Sequence, residues 1–314
     1  MRLTIVRMTL RELRYLIALA EHGHFGRAAE ICHVSQPTLS TQVRKLERYL
    51  DATLFERTNK AVHITPIGEQ IVAMARRVVA ESDAIVELAQ RKSGPLSGPL
   101  NLGIIPTLSP YLLPWLLPAV RDAYSELRLI VHEDVTDHLL GRLGAHRIDA
   151  ALVALPLAAE GLETLPLFDE PFFFAAPAGH PLAKAKAVRT SDLRKAHLLL
   201  LTDGHCLRDQ ALAACGFDDA PGREPGTDFR ASSLETIRHM VAAGMGCTLL
   251  PAMALAGRRD HHVEIRPLAG RACRRIGLVW RRAYPKTADI ECLAGVIRHA
   301  LPASVRAVAR QGHS

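Results

Sequence analysis

The 314-residue sequence lacks any unbroken apolar run long enough to cross a membrane. Its greasiest stretch, Ile104 to Val120, is interrupted by Pro106, Pro110, Pro114 and Pro118 and falls short of the ~18–20 uninterrupted apolar residues that a spanning helix requires. Met1–Leu10 lacks the apolar middle and cleavage site of a secretory leader, so the expectation is a cytoplasmic protein with no membrane partner. Among Cys32, Cys206, Cys215, Cys247, Cys273 and Cys292 there is no Cys-x-x-Cys pair and no Cys/His zinc spacing. In a reducing compartment such cysteines are buried, metal-bound or redox-active rather than a structural disulfide set. The adjacent His261 and His262 have no carboxylate or thiol company at ligand spacing, so no metal and no cofactor are expected.

What is present is the composition of an ordinary folded chain: 48% hydrophobic and 23% charged residues exclude disorder, collagen-like repeats and disulfide-dense scaffolds. The length predicts two or three globular units. Net charge is +7 and unevenly spread, with 10 basic against 6 acidic residues in 1–60, 13 against 18 in 93–254, and 12 against 4 in 255–314. A basic head suits a polyanion such as DNA, although the basic tail means that charge alone does not locate the contact surface.

Leu13, Leu16, Ile17 and Ala20 have helical spacing and predict an amphipathic helix ending at Gly23. A short second helix from Gly26 turns Ala28, Ala29 and Cys32 inward, small residues that allow a third helix to approach. That third helix has the clearest start in the chain, with Ser35 as N-cap and Pro37 in the first turn. Its apolar stripe is Leu39, Val43, Leu46 and Leu50. The opposite face carries Thr38, Thr41, Arg44, Lys45 and Arg48, flanked by Ser40 and Gln42, groups able to bond phosphates and base edges in a major groove. The alternative, an ordinary solvated helix face, is weakened by the three-helix order. Leu54–Arg57 and Val62–Thr65 read as a hairpin wing joined by residues 58–61, with Arg57 and Lys60 in reach of a phosphate backbone.

A cap at Thr65 and Pro66 at the first helical position open a long helix running to about Arg91. Ile71, Val78 and Ile85 recur every seven residues, and Ile67, Met74 and Leu88 fill the complementary positions, a seam that calls for a partner helix. The alternative is packing on its own domain. Ser93–Pro99, rich in turn formers, predicts a hinge. Beyond it, Leu100–Ile105, a helix near 110–122, Leu127–His132, a helix near 136–146 and Ala150–Leu155 alternate in the manner of a parallel α/β sheet. A second α/β run covers Glu170 to about Leu268, and Arg275–Arg281 reads as a returning strand. Two such lobes leave a crevice at their strand ends, where ligands bind.

Within the second lobe a strand, Leu198–Leu201, runs into Thr202-Asp203-Gly204-His205-Cys206 and then a helix reaching Cys215. Cys206 therefore falls in the first helical turn, where free amides and the dipole favour a thiolate, assisted by His205 and Arg208 and opposed by Asp203 and Asp209. A thiolate attacks a peroxide O–O bond to give a sulfenic acid, which condenses with a second thiol; Cys215 is the nearest. Nine helical residues separate the two α-carbons by about 13.5 Å, against the ~7 Å a disulfide allows, so pairing requires the helix to break. Spacing alone favours two buried structural thiols.

Phe25-Gly26-Arg27-Ala28-Ala29, Val34-Ser35-Gln36-Pro37-Thr38-Leu39-Ser40 and Leu54-Phe55-Glu56-Arg57 resemble the winged helix-turn-helix of the LysR-type transcriptional regulators. Asp203–Gln210 followed by Cys215, Ser233–Thr236 and Met240–Gly244 are similar to the hydrogen-peroxide-sensing branch of that family, as are Ile105–Thr107, Tyr111–Pro114, Leu167–Pro171 and Gly277–Val279. The resemblance implies an α/β protein. An N-terminal winged helix-turn-helix (1–65) with a long dimerisation linker helix (66–92) leads through a hinge (93–99) to a two-lobed, periplasmic-binding-protein-like effector domain (100–314). Lobe I is about 100–168 and 270–300, lobe II about 169–269. It implies DNA contacts from Ser35, Gln36, Pro37, Thr38, Ser40, Gln42 and Arg44, a peroxidatic Cys206, a resolving Cys215, and peroxide-binding roles for Thr107, Thr136, His205 and an arginine near Arg274. The implied partners are interrupted inverted repeats in double-stranded DNA, RNA polymerase, hydrogen peroxide, a glutaredoxin or thioredoxin reductant, and further copies of the chain in a dimer of dimers. The implied role is activation of oxidative-stress genes without enzymatic turnover. Two rivals are a LysR-type regulator holding a small metabolite between its lobes and, from another class, a thiol peroxidase.

Overall fold

The computed structural model describes residues 8–57, 62–89, 95–157, 159–193, 196–202, 206–208, 210, 231–256, 260–270 and 272–308. The chain divides into two compact units, Met1–Gly94 with Gly144–Arg147, and Pro95–Leu143 with Ile148–Ser314.

In the first unit, α1 (Leu10–His22) is opened by a capping box in which Thr9 and Glu12 bond each other's backbone, and closed by Gly23 at φ 59°. Helix α2 (Phe25–Ile31) begins one residue earlier than expected because His24 caps it: its Nδ1 accepts from the Gly26 amide at 3.0 Å. Helix α3 (Gln36–Leu50) starts where the sequence put it, with Ser35 Oγ accepting from the Thr38 amide. Leu16, Leu19, Ala28, Leu39, Val43 and Leu46 fill the space between the three helices. Strands β1 (Phe55–Arg57) and β2 (Val62–Ile64) pair antiparallel as the wing, and its tip, residues 58–61, lies outside the described residues. Thr65 Oγ1 accepts from the Gly68 amide at 3.0 Å to open α4 (Pro66–Ala89). A side-chain carbon on Gly68 would meet the Leu54 carbonyl oxygen at 2.3 Å, so only glycine permits α4 to pass this close to the strand entering the wing.

Helix α4 has two apolar faces. Val72 and Ala75 are buried in its own unit, with Arg76 bonded to Glu21 at 2.7 Å, whereas Ile67, Met74, Val78 and Ile85 are exposed. Ile71 is half-buried against the unit's own core. Leu88 lies in α4, with its side chain outside the described set.

The second unit is built on one long sheet. Strands β3 (Gly98–Ile104), β4 (Leu127–Glu133) and β5 (Ala150–Leu155) are parallel, connected by α5 (Ser109–Ala123) and α6 (Thr136–Gly144). Strand β6 (Leu162–Pro177) continues the sheet, followed by the short β7 (Val188–Arg189) and α7 (Thr190–Leu193). Then come α8 (Leu234–Ala242), β8 (Thr248–Pro251), β9 (Val263–Ala269), β10 (Cys273–Arg281), α9 (Thr287–Ala300) and β11 (Arg306–Ala307). Among the described residues the order is β4-β3-β5-β10-β6-β9-β7. The parallel pairing expected of the first three strands holds, and β10, the returning strand expected at Arg275–Arg281, makes the whole sheet mixed by running antiparallel between β5 and β6. The first part of β6 pairs with β10 and its last part with β8 and β9, so one strand runs through both halves.

Two expectations are corrected. Among the described residues Leu198–Leu201 forms isolated bridges rather than a strand, Leu198 to Cys247 and Leu201 to Ala231, although Leu198, Leu199 and Leu201 are buried. Of the turn-forming run 93–99, Leu96 is 2% exposed and its amide donates to Asp289 at the start of α9, so this part is folded onto the second unit rather than free to hinge.

Candidate sulfur site and DNA-reading helix

Parallel strands leave a crevice beyond their carboxyl ends. Here β3 and β4 deliver two threonines to that edge: Thr107, three residues after β3, and Thr136, the first residue of α6, each 4% exposed. Cys206 lies in a helical stretch, residues 206–208, and carries a free, half-buried thiol. Its Sγ lies 2.9 Å from Thr136 Oγ1. The hydroxyl can donate to a thiolate at that distance or accept from a thiol. The next residue, Leu207, is buried in the same apolar core as Leu199, Leu201, Leu234 and Ile237, which pins the turn that carries the sulfur. His205 and Cys215 lie outside the described residues.

Thr107 belongs to a second cluster. Arg274 on β10, 2% exposed, donates Nη1 to Thr107 Oγ1 at 2.9 Å and Nη2 to the Thr107 carbonyl at 3.0 Å. Its Nε donates to Glu170 Oε2 at 2.8 Å. Glu170, fully buried on β6 and in register opposite Arg274, accepts the Met253 amide on its other oxygen at 2.8 Å. Thus the structure joins Cys206 to Thr136 and Arg274 to Thr107. Glu170 was not found from sequence: its partner is 104 residues away and the register that pairs their strands has no local signal.

The remaining described thiols have different surroundings. Cys247 is 2% exposed, and burial pushes its thiol up to about 11. Its Sγ lies 3.5 Å from His180 Nε2, while His180 Nδ1 accepts from the Leu182 amide; the imidazole is therefore neutral, with its proton on Nε2. Burial also raises the Cys32 thiol. Cys273 is exposed and Cys292 half-buried.

On α3, Gln36, Pro37, Thr38, Thr41, Arg44, Lys45 and Arg48 are exposed, and Ser40 and Gln42 half-buried. Ser35 and Thr38 hydroxyls bond each other at 2.7 Å, so both also serve the cap. Lys45 lies 4.0 Å from Glu12, and Glu47 Oε1 accepts the Leu54 and Phe55 amides, which fixes the wing to the back of the helix. Arg57 is in β1, with its side chain outside the described set.

Residues 10–69 match the bacterial regulatory helix-turn-helix of the lysR family and residues 93–302 the LysR substrate binding domain. The DNA-binding transcriptional dual regulator OxyR of Escherichia coli K12 is 44% identical over 293 residues, covering 93% of this chain and 95% of that protein. The chain belongs to the LysR family, in its OxyR branch. Membership extends to three dimensions: a full-length cysteine-to-aspartate variant of Pseudomonas aeruginosa OxyR matches with TM-score 0.83 at 41% identity, covering 98% of this chain and 100% of that one. A hydrogen-peroxide-bound cysteine-to-serine variant of Corynebacterium glutamicum OxyR gives TM-score 0.65 at 37% identity, covering 94% and 93%. The chain is thus a LysR-family DNA-binding regulator with a winged helix-turn-helix and an α/β effector domain. Among the described residues no helix is long and apolar enough to cross a membrane.

Proposed function

We propose that this regulator activates oxidative-stress genes by sensing hydrogen peroxide through Cys206, with Cys215 as the resolving thiol. The observation that carries the reading is the Cys206 sulfur, in a helical turn at the carboxyl edge of the sheet, held 2.9 Å from a buried threonine hydroxyl. The Cys206 thiolate attacks one oxygen of the peroxide. An S–O bond forms, the O–O bond breaks, and its electron pair leaves with the distal oxygen as hydroxide, which takes up a proton to become water. Cys215 then displaces hydroxide from the sulfenic acid, giving a disulfide and a second water, and a glutaredoxin or thioredoxin dithiol reverses it. Thr107, Thr136, His205 and Arg274 provide donors to the peroxide and the departing hydroxide.

Leu207 explains why the switch has two states. Drawing Cys206 toward Cys215 pulls Leu207 out of the apolar core, a loss of about 1.5–3 kcal/mol for one buried leucine, which the covalent bond offsets. Ser35, Gln36, Pro37, Thr38, Ser40, Gln42 and Arg44, with Arg57 of the wing, read DNA. The exposed seam Ile67, Met74, Val78 and Ile85, with Ile71 and Leu88, pairs two copies, and two such pairs occupy an interrupted inverted repeat and engage RNA polymerase in the cytoplasm. Domains follow as 1–65 and 66–92, with the effector domain beginning at Pro95, where the second unit starts. The test is alkylation of thiols before and after a peroxide pulse, read by peptide mass mapping. A Cys206–Cys215 linkage and an altered promoter footprint are expected; an unchanged peroxide response in Cys206→Ser would overturn the reading, and multiple turnover with thioredoxin would make the protein a peroxidase instead.

A further inference from the structure

We propose that Glu170 is a positioning residue for the sulfur chemistry, acting through Arg274 to make Thr107 a hydrogen-bond donor. The inference rests on the peroxide-sensing reading. A threonine hydroxyl has one proton and two lone pairs. Arg274 Nη1 donates to Thr107 Oγ1 and Nη2 to the Thr107 carbonyl, so one lone pair faces a fixed cation. The hydroxyl proton then turns away from the guanidinium, and the cation polarises the O–H bond into a stronger donor. That donor stands at the carboxyl end of β3, the strand adjacent to the one that leads to Thr136 and so to the Cys206 sulfur.

Glu170 sets this geometry. A guanidinium can rotate among acceptors; here its Nε is taken by Glu170 Oε2, and that carboxylate is itself fixed by the Met253 amide. The two side chains are a directly opposed cross-strand pair on β6 and β10, and both are essentially out of water, with side chains 1% and 0% exposed. The carboxylate neutralises the buried cation, so Arg274 presents its two terminal nitrogens to Thr107 as a fixed fork. In the step, the thiolate forms the S–O bond, the O–O bond breaks, and the distal oxygen leaves with the electron pair as hydroxide. The Thr107 O–H bonds to that oxygen as its charge develops, and solvent supplies the proton that completes water. Glu170 touches neither sulfur nor peroxide; it keeps the donor aimed.

The experiment compares two electrophiles at Cys206 in the full-length protein with Cys215→Ser, which stops the reaction at the sulfenic acid. Peroxide needs a donor for departing hydroxide, whereas iodoacetamide releases iodide, which needs none. Glu170→Gln is expected to slow the peroxide reaction about a hundredfold, the effect of one lost transition-state donor, while alkylation changes less than twofold. Combined with Thr107→Val it is expected to add nothing to the loss Thr107→Val causes alone. Because removing one partner of a buried ion pair endangers folding, Glu170→Asp, which keeps the charge and shortens the reach, is measured beside it and is expected to show the same selective slowing to a smaller degree. Equal slowing of both electrophiles, or an undiminished effect of either variant on the Thr107→Val background, overturns the proposal. Wild-type protein whose Cys206 forms no sulfenic acid with peroxide overturns the sensing reading itself, a result that precedes and differs from failure of the Glu170 variants.

Discussion

Cys206 and Cys247 belong to the same unit, and each has a hydrogen-bonding neighbour, yet they stand in opposite chemical settings. Cys206 is half-buried in a helical stretch beside a threonine hydroxyl. Cys247 is sealed in apolar core against a neutral imidazole whose other nitrogen is committed to a backbone amide. A histidine beside a cysteine suggests an activated thiolate; here the commitment of Nδ1 and the apolar burial produce a thiol that holds its proton. Proximity of a base is therefore a weaker guide than what the base is already bonded to.

The sharpest test of this contrast is substitution. Cys206→Ser is expected to abolish peroxide-dependent change in promoter footprint, and Cys247→Ser to leave it intact; a response lost in the second variant would break the comparison. Next in size, Thr136→Val removes the hydroxyl beside the reactive sulfur and is expected to slow sulfenic acid formation about a hundredfold, the typical effect of one oxyanion donor, measured by stopped-flow with dimedone trapping. Leu207→Ala frees the turn that carries Cys206. It is expected to lower stability of the second unit by about 2–5 kcal/mol in urea titration and to speed disulfide closure relative to its reversal.

The Cys247 thiol is raised from an ordinary 9.0 to about 11 by burial. The folded protein thus holds this proton more tightly than the unfolded chain, so the contribution is full below pH 9, falls as pH rises toward 11, and is lost beyond it. Melting temperatures across that window should decline more steeply in wild type than in Cys247→Ala. Smallest of all, Ser35→Ala is expected to cost about 1 kcal/mol as a lost helix cap and, by releasing the Thr38 hydroxyl, to weaken operator binding in gel-shift titration.

The parts of the molecule visible in sequence are those written in local rules. Ser35, Pro37 and the Leu39–Leu46 stripe marked α3 because caps and helical period are properties of neighbouring residues, and the helical setting of Cys206 was legible on the same grounds. His24 escaped notice because histidine is an uncommon cap, adopted here since its Nδ1 reaches the Gly26 amide. Alternation of strands and helices marked the parallel β3, β4 and β5 but says nothing of where β10 inserts when it comes back antiparallel from far along the chain. The run of four leucines at 198–201 had the hydrophobicity of a strand without ladder partners on both sides. Glu170 and Arg274 meet only through strand register, which no window of sequence encloses.

The close passage of α4 over the Leu54 carbonyl at Gly68 makes the long helix and the wing one mechanical piece. With no side chain between them there is no compressible cushion, and Thr65 stitches the same corner through Thr53 and Leu54. Any twist imposed along the shaft therefore arrives at the hairpin as rotation, without slack, so the angle of the shaft becomes the angle at which the wing meets a backbone groove.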